Sequence, residues 1–525
     1  MNFGIVLYIQ SFMIILTGIF QIFPLLFAVY YHFIDADDVN TIHAFIYSII
    51  FAFFSGGILY IITKKFKKVE VKIRESFAIV TFGWIIAALF ASIPFMIQAY
   101  LNDYPTLDPI SNPFSLHGYP FFNSINSFTD AYFEMMSGFT TTGSSIIIDI
   151  ESIPKGLLFW RSLTHWLGGM GIILLAVAIL PALGVGGMQL YQAEVPGPIS
   201  SKITPRVSQT AKILWGVYLL FTAVETILLM FGGMDFFDSL CHTFGSLATG
   251  GFSTKNLSIS YYQSSYIDYV IIVFMFLSGA NFTLHYQFLR KQYNVYFKDR
   301  EFLFYSSIIL FSTLIILLDN TFLHNVDGFN GGIADSIRLT LFQVISITTT
   351  TGYGVGLNDE SLFHFALWST ASQFLMIMLM IAGGSAGSTG GGVKSLRVYL
   401  SLKFIYNEII KFIYPRHIKL IRIGKDVIPD SIILSTIGFI MIHITVAGFS
   451  TLIMNFFEKD LITSFSSVMA TLNNVGPGLG KVGPDSNFAN ISTAGKWILT
   501  FCMLLGRLEL YSVIILLFPV AWRKT

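Results

Sequence analysis

Apolar residues fill this chain in long runs, and the runs are interrupted at regular places. Stretches of about twenty apolar residues, enough to cross a hydrocarbon core as a helix, fall near 3–31, 41–63, 76–99, 162–183, 211–233, 266–288, 302–318, 363–382, 431–455 and 495–519. They predict roughly ten membrane spans. The first run is too long for a cleaved signal peptide and lacks a basic start. Between spans lie four short tracts that end at or just beyond a glycine: TTGS at 141–144, TGGF at 249–252, TTGY at 350–353 and NVGP at 474–477. Their glycines, Gly143, Gly251, Gly352 and Gly476, stand about a hundred residues apart. One such tract is a tight turn between helices. Four at matching places predict a module used four times: span, short re-entrant helix, tract, span. Irregular backbone at membrane depth is tolerated only inside protein or along a water-filled path, so the breaks predict a shared pore.

The chemistry of such a pore follows from the residue types. Carbonyl oxygens replace a cation's hydration shell only where the chain turns tightly and successive carbonyls face one way. Glycine permits that backbone and threonine adds a hydroxyl oxygen. The predicted cation-facing residues are Thr141, Thr142 and Gly143; Thr249, Gly250 and Gly251; Thr350, Thr351 and Gly352; and Asn474, Val475 and Gly476. Asp130 and Asp238 each stand thirteen residues before their glycine and predict the starts of the first two re-entrant helices, where an acid complements the positive helix end. At that offset the third and fourth repeats offer Leu339 and Thr463. The negative ends of these helices then point at the pore and favour a cation. Because the tracts are unequal, one chain is expected to supply four different walls.

A second interruption is the run Gly383, Gly384, Ser385, Ala386, Gly387, Ser388, Thr389, Gly390, Gly391 and Gly392. Glycine costs roughly 1 kcal/mol in a helix relative to alanine, so the preceding span must break here. Residues 387–395 approach a phosphate-binding loop, but Val393 is interposed and no strand precedes it. A break at membrane depth predicts a mobile flap under the tracts. Arg507, in GRLEL, lies well inside the last span. A charge there costs about 2.5–3.5 kcal/mol, so it should face the pore or a partner. Glu509, two residues along, points elsewhere on the helix. Arg161 reads as an interfacial anchor, and Glu134 and Glu225 have no evident partners. His165, His242 and His285 are isolated, without metal-ligand spacing, and read as packing or hydrogen-bonding residues.

Composition removes the soluble classes. Of 525 residues, 54% are hydrophobic and 12% charged, against about 25% charged in soluble domains. Lysine and arginine cluster after alternate spans: Lys64, Lys65, Lys67, Lys68, Lys72 and Arg74; Lys202, Arg206 and Lys212; Arg290, Lys291, Lys298 and Arg300; and a basic stretch from Lys394 to Lys425. The opposite loops, 100–127 and 319–334, contain none, and Asp35, Asp37 and Asp38 follow the first span. The basic loops are therefore expected inside, and both termini with them. A net charge of +1 gives no sign of a nucleic-acid partner, and the basic clusters suit membrane lipid headgroups. Cys241 and Cys502 are too few for a disulfide framework and read as small buried side chains. An enzyme would need facing carboxylates, a metal cluster or a nucleophile–base pair in the spans, and none is evident, so the chain is not expected to be one.

Several ordered segments resemble the potassium-uptake superfamily of Trk, Ktr and HKT transporters, most closely its bacterial Trk-type pore subunit. They are SGFTTTGSS (137–145), WLGGMGIILLAVAILP (166–181), GGMQLYQAE (186–194), ATGGFST (248–254), QVISITTTTGYG (343–354), GGSAGSTGGGVK (383–394), TLNNVGPGLG (471–480) and GRLEL (506–510), and they cover nearly the whole chain. The resemblance implies an all-α integral membrane protein with four pseudo-repeated helix–pore-helix–helix units around one pore. The implied division is an N-terminal helix pair (1–70), then repeats at 71–195, 196–295, 296–425 with the intramembrane glycine-rich loop, and 426–525. It implies a potassium selectivity filter at the four tracts, gated below by residues 383–392 and Arg507. Glycine at the first filter position goes with potassium in this superfamily and serine with sodium, and this chain has Gly143. Repeat three ends TTTTGYG, closer to the potassium-channel TVGYG, which suits potassium and bears on the outer site. Potassium is then the transported ion. A sodium or unselective conductor, or a proton-coupled potassium symporter, is the alternative. The resemblance further implies a homodimer on a cytoplasmic nucleotide-binding regulatory subunit, in the bacterial inner (plasma) membrane, multi-pass with both termini cytoplasmic. No soluble stretch of this chain is long enough for a nucleotide domain, so the nucleotide site is expected on that subunit.

Overall fold

The computed structural model describes residues 1–35, 39–67, 69, 71–102, 124–171, 207–324, 332–358, 361–415, 420–424 and 426–522. The second half of the predicted span 162–183, the GGMQLYQAE segment, and the basic residues Lys202 and Arg206 lie outside them. Two spans open the chain: α1 (Phe3–Phe20) and α2 (Ile22–Asp35), which together make one span, and α3 (Val39–Thr63). Helices α1 and α3 pack on α4 (Ile73–Asn102). Two buried glutamines of the N-terminal segment bond carbonyls of α4 through their amide nitrogens: Gln10 Nε2 donates to Ile79 at 2.9 Å and Gln21 Nε2 to Phe90 at 3.1 Å.

From α4 onward one pattern recurs. Helix α4 is followed by a short α5 (Ser124–Phe139) and by α6 (Lys155–Gly169). Next come α7 (Val207–Phe231), a short α8 (Phe236–Leu247), and the pair α9 (Ser265–Ser278) and α10 (Phe282–Leu289). The third set is α11 (Arg300–Leu318), a short α12 (Ile333–Thr348) and α13 (Thr370–Ala382), after which the glycine-rich run leads into α14 (Ser395–Ile413). The last is α15 (Asp430–Glu458), a short α16 (Leu461–Leu472), and the pair α17 (Thr493–Arg507) and α18 (Tyr511–Leu517). Helices α8 and α16 have 12 residues each. At 1.5 Å per residue each is about 18 Å long, too short for a hydrocarbon core of about 30 Å. They enter and turn back. The architecture is thus an all-α membrane protein of four pseudo-repeats with a leading helix pair.

Among the described residues six helices are long and apolar enough to span, or eight when each of two bent pairs counts once. The bent pairs are the runs predicted as straight spans at 266–288 and 495–519. The first bends by 103° between Ser278 and Phe282, and the second by 119° between Arg507 and Tyr511. At the second, Glu509 and Leu510 take left-handed backbone, with φ of 51° and 59°. Arg507 is consequently the last residue of a broken helix, not the middle of a continuous one. The run at 363–382 is α-helical only from Thr370: Phe363 ends a small antiparallel hairpin, β1 (Val355–Asn358) with β2 (Ser361–Phe363), and Phe365–Leu367 form a single 3-10 turn before the helix.

Helix starts differ from the expected ones in an instructive way. Asp238 sits in the first turn of α8, but the capping acceptor is Asp235, whose carboxylate takes the amide of Asp238 at 2.6 Å. In α16 the cap is Asp460, which takes the amides of Ile462 and Thr463, both at 3.2 Å. Both caps stand sixteen residues before their glycine, so repeat four does carry an acid at its helix start. Asp130 lies inside α5 rather than at its start, and it serves a different purpose.

Candidate functional site

Each short helix ends in the same way. Thr141, Thr249, Thr350 and Asn474 are left-handed, with φ of 53°, 54°, 64° and 54°. The amides of the following residues, Thr142, Gly250, Thr351 and Val475, donate back to the carbonyls of Ser137, Gly245, Ser346 and Ala470 at 2.9, 2.8, 2.7 and 2.8 Å. This is the Schellman closure of a helix C-terminus. Gly143, Gly251, Gly352 and Gly476 are left-handed again, at 79°, 78°, 82° and 104°, while the residue between keeps a negative φ. Alternating hand turns successive carbonyls to one side of the strand.

The four tracts close on one another. A Cβ built on Gly143 would lie 2.1 Å from the Gly250 oxygen, one on Gly251 2.0 Å from Thr351 O, one on Gly352 2.1 Å from Val475 O, and one on Gly476 2.7 Å from Thr142 O. In every case the carbonyl belongs to the residue just before the next repeat's glycine, and the fourth contact returns to the first tract. The result is a ring with room for no side chain at those positions. Four helix C-termini, carrying partial negative charge, converge on it. Above the ring lies a cavity of about 510 Å³ lined by all four glycines together with Ser253, His364 and Asp485. No group of three or more His, Cys, Asp or Glu side chains gathers to hold a metal among the described residues. The oxygens the ring offers a cation are carbonyls and threonine hydroxyls.

Below the ring sits the glycine-rich run, and it touches the second, third and fourth walls. The Thr389 hydroxyl donates to Leu247 O at 2.9 Å and lies 3.4 Å from the Thr249 hydroxyl. The Gly391 amide donates to Thr350 Oγ1 at 2.7 Å, and a Cβ on Gly391 would lie 2.4 Å from Asn473 O. Arg507 completes the circuit. Its guanidinium donates to Thr389 O at 2.7 Å, to Thr141 Oγ1 at 3.2 Å, and to the carbonyls of Gly168 and Gly169 at the end of α6. Loop, arginine and first tract therefore form one hydrogen-bonded unit. Gly383 and Lys394 bound the loop with left-handed backbone, φ 62° and 70°. Glu301 of α11 holds it, accepting from the Ala386 amide at 2.6 Å and the Ser395 hydroxyl at 3.2 Å. The loop also leans on the break in the second repeat, where Gly279 O accepts from the Ser385 amide at 2.8 Å and the Phe282 amide donates to Gly387 O at 3.1 Å.

Behind the ring are ionisable side chains whose partners were not evident in the sequence. Arg161 is no interfacial anchor. It is 2% exposed, stacks its guanidinium 3.6 Å over the Phe252 ring and pairs with Glu134, which is fully buried. Glu134 thus has a partner, and Glu225 accepts from the Ser246 hydroxyl. Asp130 on α5 pairs with Lys496 on α17 at 2.7 Å, and Arg338 on α12 lies 3.5 Å from Asp268 on α9. Each of these two pairs ties a re-entrant helix to the neighbouring repeat. Glu509 pairs with Arg397 of α14, not with Arg507. A charge inside an apolar run demands a compensating one, and the unmatched charges are of opposite sign, which signals that partners exist but not which charge pairs with which. The histidines behave as expected. His165 is 2.7 Å from Gly138 O, His242 is 2.9 Å from Ser253 Oγ, and His285 is 2.7 Å from Tyr296 OH. Cys241 and Cys502 are free and buried.

Comparison with known proteins agrees with this architecture. Residues 40–521 match the model of the TrkH family, described as a cation transport protein. The chain is 36% identical over 526 residues to the Trk system potassium uptake protein TrkH of Escherichia coli K12, covering all of both chains. It is 36% identical over 472 residues to the TrkH of Halomonas elongata, covering 90% of each. It superposes on the crystal structure of the potassium transporter TrkH from Vibrio parahaemolyticus with a TM-score of 0.81, at 32% identity and full coverage of both. On the strength of a family match over most of its length and relatives aligned end to end, the chain belongs to the TrkH family of cation transport proteins.

Proposed function

We propose that this chain takes up potassium through a pore on the axis of the glycine ring, with the ring as selectivity filter. The observation that carries the reading is the cyclic contact of Gly143, Gly251, Gly352 and Gly476, each against the carbonyl of the next tract. A ring of carbonyls fixed by four helix caps substitutes for the hydration shell of a weakly hydrated cation at little cost. A smaller, strongly hydrated ion gains less from it. Gly143 in the first wall and the names of the relatives both favour potassium over sodium. The gate in this reading is residues 383–392 with Arg507, which obstruct the path beneath the filter by bulk and by charge.

The same proposal assigns the chain to the bacterial inner membrane with both termini cytoplasmic. It takes residues 1–70 as the leading pair and 71–195, 196–295, 296–425 and 426–525 as the repeats. It makes the working unit a homodimer regulated in trans by a cytoplasmic nucleotide-binding subunit, with lipid around the exposed apolar faces. Purified protein reconstituted in vesicles, with potassium, sodium and proton gradients opposed, tests it. A reversal potential that follows the potassium gradient alone supports uniport of potassium, and one that follows sodium overturns the ion assignment.

A further inference from the structure

The ion pair behind the first two walls is placed to do more than stabilise the fold. Arg161 and His165 are four residues apart on α6 and share one face. That face meets the filter tracts from behind. Arg161 Nε donates to Glu134 Oε1 at 2.5 Å and its Nη1 to the carbonyl of Ser253 at 2.9 Å, two residues beyond Gly251. Glu134 in turn accepts from the Ser145 hydroxyl at 3.0 Å and the Ile146 amide at 2.9 Å, two and three residues beyond Gly143. Phe252 lies between the guanidinium, at 3.6 Å, and the His165 ring, at 4.0 Å. The His165 ring also backs Gly250, where a Cβ would be 2.5 Å from it. One guanidinium–carboxylate unit thus grips the outer ends of two different tracts, and Arg161 itself lines the outer cavity.

Two physical consequences follow. First, the spacing of the first and second carbonyl columns is set by a planar donor that bonds Glu134 and the Ser253 carbonyl from a buried site, where such bonds are stronger than in water. Second, a bare guanidinium at the pore mouth would repel the arriving cation, and the carboxylate cancels that charge. We propose that the Arg161–Glu134 pair is a positioning element for ion discrimination, fixing the first and second filter walls against each other while leaving the mouth uncharged. The proposal rests on the reading of the ring as a potassium filter. It assigns to the pair a role in specificity that a packing residue would not have.

The test uses the full chain in proteoliposomes, reading potassium and sodium uptake separately and taking their ratio, with Gly143→Ser as control. Arg161→Gln is expected to lower the potassium-to-sodium ratio roughly tenfold, about 1.4 kcal/mol. Arg161→Lys should lower it by about threefold, because an ammonium keeps the charge but not the fork or the stacking. Glu134→Gln leaves the guanidinium unpaired and should depress uptake of both ions about tenfold through repulsion. The double variant Glu134→Gln/Arg161→Gln should recover the rate but not the ratio, which a purely structural pair would not do. If Arg161→Gln does not fold, Arg161→Lys and Phe252→Leu carry the same test. A ratio unchanged in the Arg161 variants but altered by Gly143→Ser overturns the proposal and leaves the filter reading standing. A ratio unchanged in all of them overturns both. A double variant as slow as Glu134→Gln overturns the charge-cancelling role.

Discussion

Replacing Gly143 by serine tests the proposed filter at one of the tight contacts of the ring. The new Cβ would stand 2.1 Å from the Gly250 oxygen, whereas ordinary contact begins at 3.4 Å, so the second wall's carbonyl must retreat by about 1.3 Å. Binding constellations hold their geometry to within about 0.5 Å. The left-handed backbone at Gly143, φ 79°, adds about 1–2 kcal/mol of strain for a residue with a Cβ. Both effects act on the carbonyl that faces the ion. At Gly476 the corresponding contact is 2.7 Å from Thr142 O, and the retreat is about 0.7 Å. The two sites therefore predict an inequality. Gly143→Ser should reduce the potassium-to-sodium permeability ratio by tenfold or more, about 1.4 kcal/mol, and Gly476→Ser by distinctly less. Reversal potentials under bi-ionic conditions, on variants that purify at the parent's elution volume, measure both. The reasoning is refuted if Gly476→Ser is as damaging as Gly143→Ser, or if a folded Gly143→Ser keeps the parent ratio.

Three further outcomes are expected. Arg507→Ala, or shortening of residues 385–389, should raise resting potassium flux more than tenfold with selectivity kept, since a unit charge at 4 Å is worth about 4 kcal/mol at an effective dielectric constant of 20. Arg507→Lys should keep most of the barrier, and if it leaks as Arg507→Ala does, the arginine acts as a strap rather than as a charge. Lys496→Ala leaves Asp130 buried without its partner, a loss of about 3–5 kcal/mol that should lower the thermal midpoint in detergent. Asp130→Ala/Lys496→Ala should recover much of it, and additive losses would show that the two residues do not act as a pair. Cysteines placed singly at Lys67 and Lys403 should resist an impermeant thiol reagent applied outside cells, while one at Asn487, in the wall of the outer cavity, should react. The reverse pattern would invert the topology.

The positions of the four glycines, the loop and Arg507 were legible because each breaks a local rule that apolar helices otherwise obey. A glycine-ended polar tract at membrane depth has few structural uses, so its recurrence carried the architecture. What the sequence could not give was pairing at a distance. Arg161 looked like an anchor because nothing within a helical turn of it is acidic; Glu134 lies 27 residues earlier, on another helix. Lys496 and Asp130 are 366 residues apart. Only the ring geometry brings the fourth repeat beside the first. The straight last span was misread for a related reason. The backbone of Glu509 and Leu510 turns left-handed with no glycine or proline to announce it, held there by tertiary contacts such as the Glu509–Arg397 pair. Local propensity is a weak guide where tertiary contacts decide.

The inequality of the repeats has a mechanical meaning. The glycine-rich loop belongs to the third repeat, yet it reaches Thr249 of the second, Thr350 of its own, and Asn473 of the fourth, while Arg507 of the fourth reaches Thr141 of the first. One loop and one arginine thus reach all four walls between them. A symmetric tetramer would bring four such loops into the same space, so a plug of this kind requires a single chain with unequal quarters. It also gives the plug one set of handles. Its ends are the left-handed Gly383 and Lys394, and α14 continues from the second of them. Glu301 ties the loop to α11 at Ala386 and Ser395, and Arg397, in the first turn of α14, is bonded to Glu509 at the break just beyond Arg507. In the proposed gate, a displacement of α14 would therefore act on both halves at once, on the loop through Ser395 and on the arginine through Glu509. On the proposed reading of the loop as gate and the ring as filter, a regulatory subunit that shifted this one helix would open the path without touching the filter.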